Sequence, residues 1–115
     1  DPLYAALKAG VTHYTRMAGV ELGPHNIRVN SISPGAIATP IFYGGSQRAN
    51  DLTKEENERK MEKLRGNLAK AVPLKKSGLP IDIAEAALYL ASDAGSFVTC
   101  QDIIVDGGRT AMFNE

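Results

Sequence analysis

Two short β-branched runs far apart in the chain, IRVNSI at Ile27–Ile32 and DIIVD at Asp102–Asp106, constrain the fold more than any other feature. Each is bounded by turn formers, with Pro34-Gly35 behind the first and Gly107-Gly108 behind the second. Short apolar strands kept apart by helical stretches are the pattern of a parallel α/β sheet, whose crossovers must be long. Two strands are nonetheless few for an open sheet, which usually has four to six or so. Parallel strands buried on both faces also leave edges that need partners. These strands are therefore expected to be part of a larger fold.

The stretches around them read as helices. Leu3–Leu22 carries Leu3, Leu7, Val11, Tyr14, Met17, Ala18 and Leu22 at steps of three and four, one stripe of an α-helix. Gly23-Pro24 is expected to stop it, with the glycine as a left-handed cap. Ile41–Asp51 has no period and reads as loop. Thr53 and Glu56 stand at capping-box spacing and open a helix with a narrow apolar stripe, Met61, Leu64, Leu68 and Val72. Such a helix belongs on a surface. Pro80–Asp93 reads as a further helix, with Ile83, Ala87, Leu88, Leu90 and Ala91 facing inward. No internal repeat or low-complexity tract interrupts this order.

Charge narrows the function classes. The 115 residues hold 13 Lys and Arg against 13 Asp and Glu, a net charge of zero. A binder of nucleic acid or anionic membranes would carry a basic excess. The longest apolar run, AALYLA at Ala86–Ala91, is far too short to span a bilayer. One cysteine, Cys100, allows no internal disulfide, which fits a soluble protein of the reducing cytoplasm; no targeting pattern precedes Asp1, although a missing N-terminus would have carried one away. Only Arg48–Lys76 is locally basic, with nine Lys and Arg against five Asp and Glu, and a solvated face accounts for that.

Chemistry points to the first helix. Tyr4 and Lys8 stand four apart, which puts both side chains on one face, about 5–6 Å apart at Cβ. A tyrosine hydroxyl titrates near ~10, too high for acid–base work at neutral pH, and a neighbouring ammonium favours its phenolate. An ordinary surface tyrosine beside a lysine has the same spacing, so the pair by itself decides nothing.

Its context does. YAALKAGV, then IRVNSISPGAIATP, a charged insert, GLPIDIAEAALYLASD and QDIIVDGG follow one another in an order that resembles the C-terminal part of a short-chain dehydrogenase/reductase. The resemblance runs from Asp1 to about Arg109. It implies residues 1–115 are the C-terminal portion of one doubly wound, parallel-sheet Rossmann domain, with residues 41–76 as a substrate-covering insert. It also implies an oxidoreductase that moves a hydride between NAD or NADP and an alcohol or carbonyl. Tyr4 resembles the family's proton donor and acceptor, and Lys8 the lysine that makes that tyrosine more acidic and bonds the nicotinamide ribose. Pro34 and Gly35 resemble the turn past the nicotinamide. Ile37 matches the position whose backbone meets the carboxamide, and Thr39 the hydroxyl near the carboxamide or pyrophosphate. A plain helix N-cap before Pro40 is the other reading of Thr39. Ile41, Phe42 and Tyr43 fall where the family covers its substrate.

Some positions depart from the family. Leu7 stands where serine is frequent and reads as packing. Cys100 stands where glycine is common and reads as a small buried hydrophobe rather than a reactive thiol. His13 and His25 lie far apart without companions at ligand spacing, so no metal is expected. The family's Gly-rich pyrophosphate turn, the residue that selects NAD or NADP, and the catalytic serine and asparagine have no counterpart in this sequence. The expectation is that the N-terminal, cofactor-binding half is not included and that the 115-residue chain by itself is inactive. The substrate expected of the whole enzyme is an apolar or cyclic alcohol or ketone, with an acyl thioester on an anionic carrier as the other option. Family members form dimers through the tyrosine-bearing helix and tetramers through the last helix and strand. A different class of function, a non-catalytic association module, uses those same surfaces without a cofactor.

Overall fold

The computed structural model describes residues 1–113, and they fall into two units, Asp1–Ser33 with Ala84–Ile104 and Pro34–Ile83 with residues 105–113. The elements in order are α1 (Pro2–Leu22), β1 (Ser31–Pro34), α2 (Gly45–Asn50), α3 (Lys54–Ala69), α4 (Pro80–Ala91) and β2 (Asp102–Val105), with short 3₁₀ turns between them. β1 and β2 pair in one two-stranded sheet. The Ser31 N–H donates to the Gln101 carbonyl and the Gly35 N–H to the Val105 carbonyl, both at 2.9 Å, so both strands advance together as parallel strands do. The division between the units falls within both strands.

In the first unit, Asp1 caps α1 by accepting the Leu3 N–H at 2.8 Å, and Pro2 fills the first turn where its missing N–H costs nothing. The helix ends at Leu22 as expected, but without the left-handed glycine cap. Gly23 keeps a right-handed φ of −55°, the chain tightens into a 3₁₀ turn at Gly23–His25, and Asn26 takes the left-handed position at φ 59°. Pro24 suits that extra turn because its fixed φ is already helical, and asparagine tolerates the left-handed region. On α1 only Thr15 and Gly19 are buried. Of the expected apolar stripe, Leu3, Leu7, Val11, Tyr14 and Met17 are exposed, and Ala18 and Leu22 are half-buried.

The first strand also begins later than IRVNSI suggests. Over Val29 and Asn30 the chain is held by side chains as much as by backbone. The Val29 N–H donates to Thr99 Oγ1 at 3.1 Å, the Cys100 N–H donates to the Val29 carbonyl at 2.8 Å, and the Asn30 amide bridges the Val98 carbonyl and the Gln101 N–H. Cys100 at φ 64° breaks the regular ladder there. Further along, Ser31 and Ser33 both donate to the Asp102 carboxylate. The Arg28 guanidinium donates to the carbonyls of Leu90 and Gly95, closing the end of α4. On α4, Leu90 is buried as expected; Ala87, Leu88 and Ala91 are not, and the helix ends at Ala91 rather than Asp93.

In the second unit, the segment read as loop is ordered: a 3₁₀ turn at Pro40–Tyr43, Gly44 at φ 110°, and the short α2. Six residues are too few to display a helical period, so the sequence pattern hid it. The capping box on α3 is complete, each of Thr53 and Glu56 bonding the other's backbone N–H. Met61, Leu64 and Leu68 are half-buried, while Val72 lies past the helix end and is buried. Ile37 and Gly78 form an isolated parallel bridge, with the Ala38 N–H donating to the Gly78 carbonyl at 2.9 Å. Among the described residues, the buried hydrophobic side chains are Ala38, Val72 and Leu90.

Candidate active site

Tyr4 and Lys8 sit in the first turns of α1, which the Asp1 cap and Pro2 start at that point of the sequence. Four-residue spacing brings the Lys8 Nζ to 5.6 Å from the centroid of the Tyr4 ring, within cation–π range. Tyr4 is 63% exposed, so the two polar tips are accessible to a third molecule. Both belong to the first unit.

The remaining expected site residues belong to the second unit. Gly35 is there for a steric reason: a Cβ on it would stand 2.6 Å from the Asp106 Cβ and 2.8 Å from its Cα. Ile37 is the residue bracketed by the parallel bridge. The bond from Ala38 to Gly78 therefore turns the N–H and C=O of Ile37 toward the opposite edge. That edge offers one hydrogen-bond donor and one acceptor. Thr39 occupies the N-cap position before the Pro40–Tyr43 turn, yet its side chain makes no capping bond. The capping reading of Thr39 is thus not supported by its hydroxyl. Pro34 is exposed at the end of β1.

A cavity of about 200 Å³ lies in the same unit, with Ile37, Val72, Leu74 and Val105 among its walls and Lys76, Asp82 and Asp106 at its polar edge. The two carboxylates are already engaged. Asp82 accepts the Leu79 N–H at 2.8 Å, and Asp106 accepts from the Gly108 N–H, the Thr110 N–H and the Thr110 hydroxyl at 2.7–2.9 Å. The bonds from Thr110, then that from Gly108, hold the Asp106 carboxyl below its ordinary value. No periodicity picks out this Asx-type turn; its signal is the aspartate ahead of two glycines, with a threonine four residues on.

Of the three expected substrate residues, Ile41 and Phe42 are exposed, whereas Tyr43 turns onto α3. His13 and His25 lie on the surface, and among the described residues no group of three or more His, Cys, Asp or Glu could hold a metal ion. Cys100 is half-buried against Gly19 of α1, with its thiol toward Thr99 Oγ1 at 3.9 Å. Among the described residues, no helix is long and apolar enough to cross a membrane.

Comparison with known proteins identifies the family. Residues 1–110 match a family model described as enoyl-(acyl carrier protein) reductase. The chain is 44% identical over 107 residues to an uncharacterized oxidoreductase of Mycobacterium tuberculosis, covering 93% of this chain and 35% of that protein. It is 43% identical over 105 residues to a 3-oxoacyl-[acyl-carrier-protein] reductase of Chlamydia trachomatis, covering 91% and 36%. The crystal structure of a 3-oxoacyl-[acyl-carrier protein] reductase with bound NAD from Brucella melitensis superposes with a TM-score of 0.64 at 36% identity, covering 91% of this chain and 32% of that one. The chain thus spans about a third of the length of the relatives it matches, and its two parallel strands with flanking helices correspond to part of their Rossmann-type sheet. On this match across almost its whole length, the chain belongs to the short-chain dehydrogenase/reductase family.

Proposed function

We propose that this chain serves an NAD(P)-dependent oxidoreductase acting on an alcohol or carbonyl, with Tyr4 as proton donor and acceptor and Lys8 as its partner. The observation that carries the reading is the pairing on α1, with the Lys8 ammonium 5.6 Å from the Tyr4 ring centroid and both tips accessible. In the reductive direction the Tyr4 hydroxyl gives its proton to the carbonyl oxygen as that oxygen gains charge. The Lys8 ammonium stabilises the phenolate left behind, and in oxidation the phenolate takes the alcohol proton. A bound nicotinamide supplies or accepts the hydride. Two features of the second unit suit its carboxamide end: the outward backbone edge of Ile37 and the Thr39 hydroxyl, free of capping duty. The substrate class we favour is an apolar or cyclic ketone, because Ile41 and Phe42 are exposed on the insert. An acyl group on an anionic carrier is the competing class, supported by the basic side chains Arg59, Lys60 and Lys63 along α3.

The test joins residues 1–110 to the N-terminal portion of the Chlamydia trachomatis reductase and follows nicotinamide absorbance with a panel of ketones and 3-oxoacyl thioesters. Turnover should fall by about 10²–10⁴-fold in Tyr4→Phe, the usual worth of a positioned proton donor. A hybrid that binds cofactor and turns over equally well with Tyr4→Phe would sink the assignment. A second reading, an association module, is favoured by one observation: Leu3, Leu7, Val11, Tyr14 and Met17 are 55–72% exposed along α1. Titration of NADH into the 115-residue chain separates the two, since micromolar binding is incompatible with a purely associative role.

A further inference from the structure

Resting on the reading of residues 41–76 as a substrate cover, we infer that Asn57 is the positioning residue of that cover: it ties Tyr43 and α2 to α3 and leaves Ile41 and Phe42 as the apolar pair presented outward. Two short pieces converge on its side chain. The Asn57 Nδ2 donates to the Ala49 carbonyl at 2.8 Å, near the C-terminal end of α2. Its Oδ1 accepts from the Tyr43 hydroxyl at 3.3 Å. The amide orientation follows from the chemistry, because a backbone carbonyl can only accept and so must face the NH₂ group. One turn further along α3, the Lys60 ammonium stands 5.8 Å from the centroid of the Tyr43 ring. Asn57 and Lys60, three apart on one helix face, therefore grip the tyrosine at its tip and its face.

The grip sorts the three aromatic and aliphatic candidates of the insert. Tyr43 is half-buried and committed to α3, while Ile41 is 75% and Phe42 50% exposed. Gly44 makes the reversal between the Pro40–Tyr43 turn and α2 possible: at φ 110°, a Cβ there would stand 2.8 Å from the Arg48 side chain. With that turn fixed and Asn57 holding both sides of it, Pro40–Ala69 is an assembled block before any substrate arrives. Tyr43 then acts through packing and not through substrate contact.

Amide hydrogen exchange on the whole 115-residue chain tests this without any catalysis, so failure of the clasp and failure of the oxidoreductase reading are separable. In Asn57→Ala the protected amides at 48–52 should exchange about tenfold or more faster, with amides of α4 and of the later turns of α3 within about twofold of the parent. Asn57→Asp keeps an acceptor for Tyr43 but no donor for the Ala49 carbonyl, and should match Asn57→Ala at 48–52. Tyr43→Phe keeps the ring under Lys60 and should accelerate the same amides by only about two- to threefold. Phe42→Ala, outside the clasp, should leave them unchanged. Acceleration spread evenly over the chain in Asn57→Ala, or none at 48–52, overturns the proposal, as does a Phe42→Ala effect equal to that of Asn57→Ala.

Discussion

At the scale of single residues, backbone conformation says most. Lys75 and Cys100 hold φ at 57° and 64°, where a Cβ costs roughly 1–2 kcal/mol. Glycine removes that cost and returns roughly 0.5–1 kcal/mol as unfolded-chain entropy. Lys75 is exposed, so Lys75→Gly should stabilise by about 0.5–1 kcal/mol in urea unfolding. Cys100→Gly should gain less, because the thiol packs on Gly19. Equal gains, or a loss in Lys75→Gly, would contradict this account. It also explains the departure noticed in the sequence: the left-handed angle at position 100 is one that glycine adopts without strain, and no pattern of side chains advertises it. Asp106 supplies a pH prediction. Its bonds to Thr110 and Gly108 favour the carboxylate in the folded state. The stability they add is full above the ordinary value of 3.8 and is lost as pH falls from there through the lower folded value. The gap in urea midpoint between the parent and Asp106→Asn should accordingly narrow from pH 6 to pH 3. A gap that widens on acidification would refute it.

At the scale of elements, what could be read in advance depended on whether the signal was local. The capping box before α3 was legible because both partners lie within four residues, and the structure contains both of its bonds. Thr53→Ala should cost about 1 kcal/mol through loss of that cap. Gly66 faces nothing within 4 Å, so Gly66→Ala should return about 0.5–1 kcal/mol of helix propensity. The pair of substitutions, compared by thermal melting, should nearly cancel. The existence of α1, α3, α4 and both strands was legible from period and β-branching. The short α2 was not, since its coherence comes from Gly44 and from the Asn57 bond to Ala49, outside its own six residues. Nor was the true start of β1, which the side chains of Asn30 and Thr99 displace. For the candidate site, the Tyr4 and Lys8 pairing follows from helical spacing alone, while the outward edge of Ile37 depends on a bridge to Gly78, distant in sequence.

At the scale of the molecule, the decisive quantity is how little apolar surface is hidden. Ala38, Val72 and Leu90 are the buried hydrophobic side chains among the described residues, although 43% of the sequence is hydrophobic. A stable domain of this length hides roughly two-thirds of the surface its unfolded chain would expose, mostly apolar. Leu3, Leu7, Val11, Tyr14, Met17 and Val20 along α1, and Leu88, Tyr89 and Phe97 at and beyond α4, stay in solvent instead. Exposed apolar area of this kind drives association, because each buried leucine or valine is worth about 1.5–3 kcal/mol. The 115-residue chain should therefore sediment well above its monomer mass of 12.3 kDa at micromolar concentration. Leu7→Asp combined with Met17→Asp should shift it toward monomer and lower its melting temperature together, since folding and association would be coupled. A single 12.3 kDa species with a cooperative, concentration-independent melt would refute the coupling, and would mean that the two units hold more stability than their buried side chains account for.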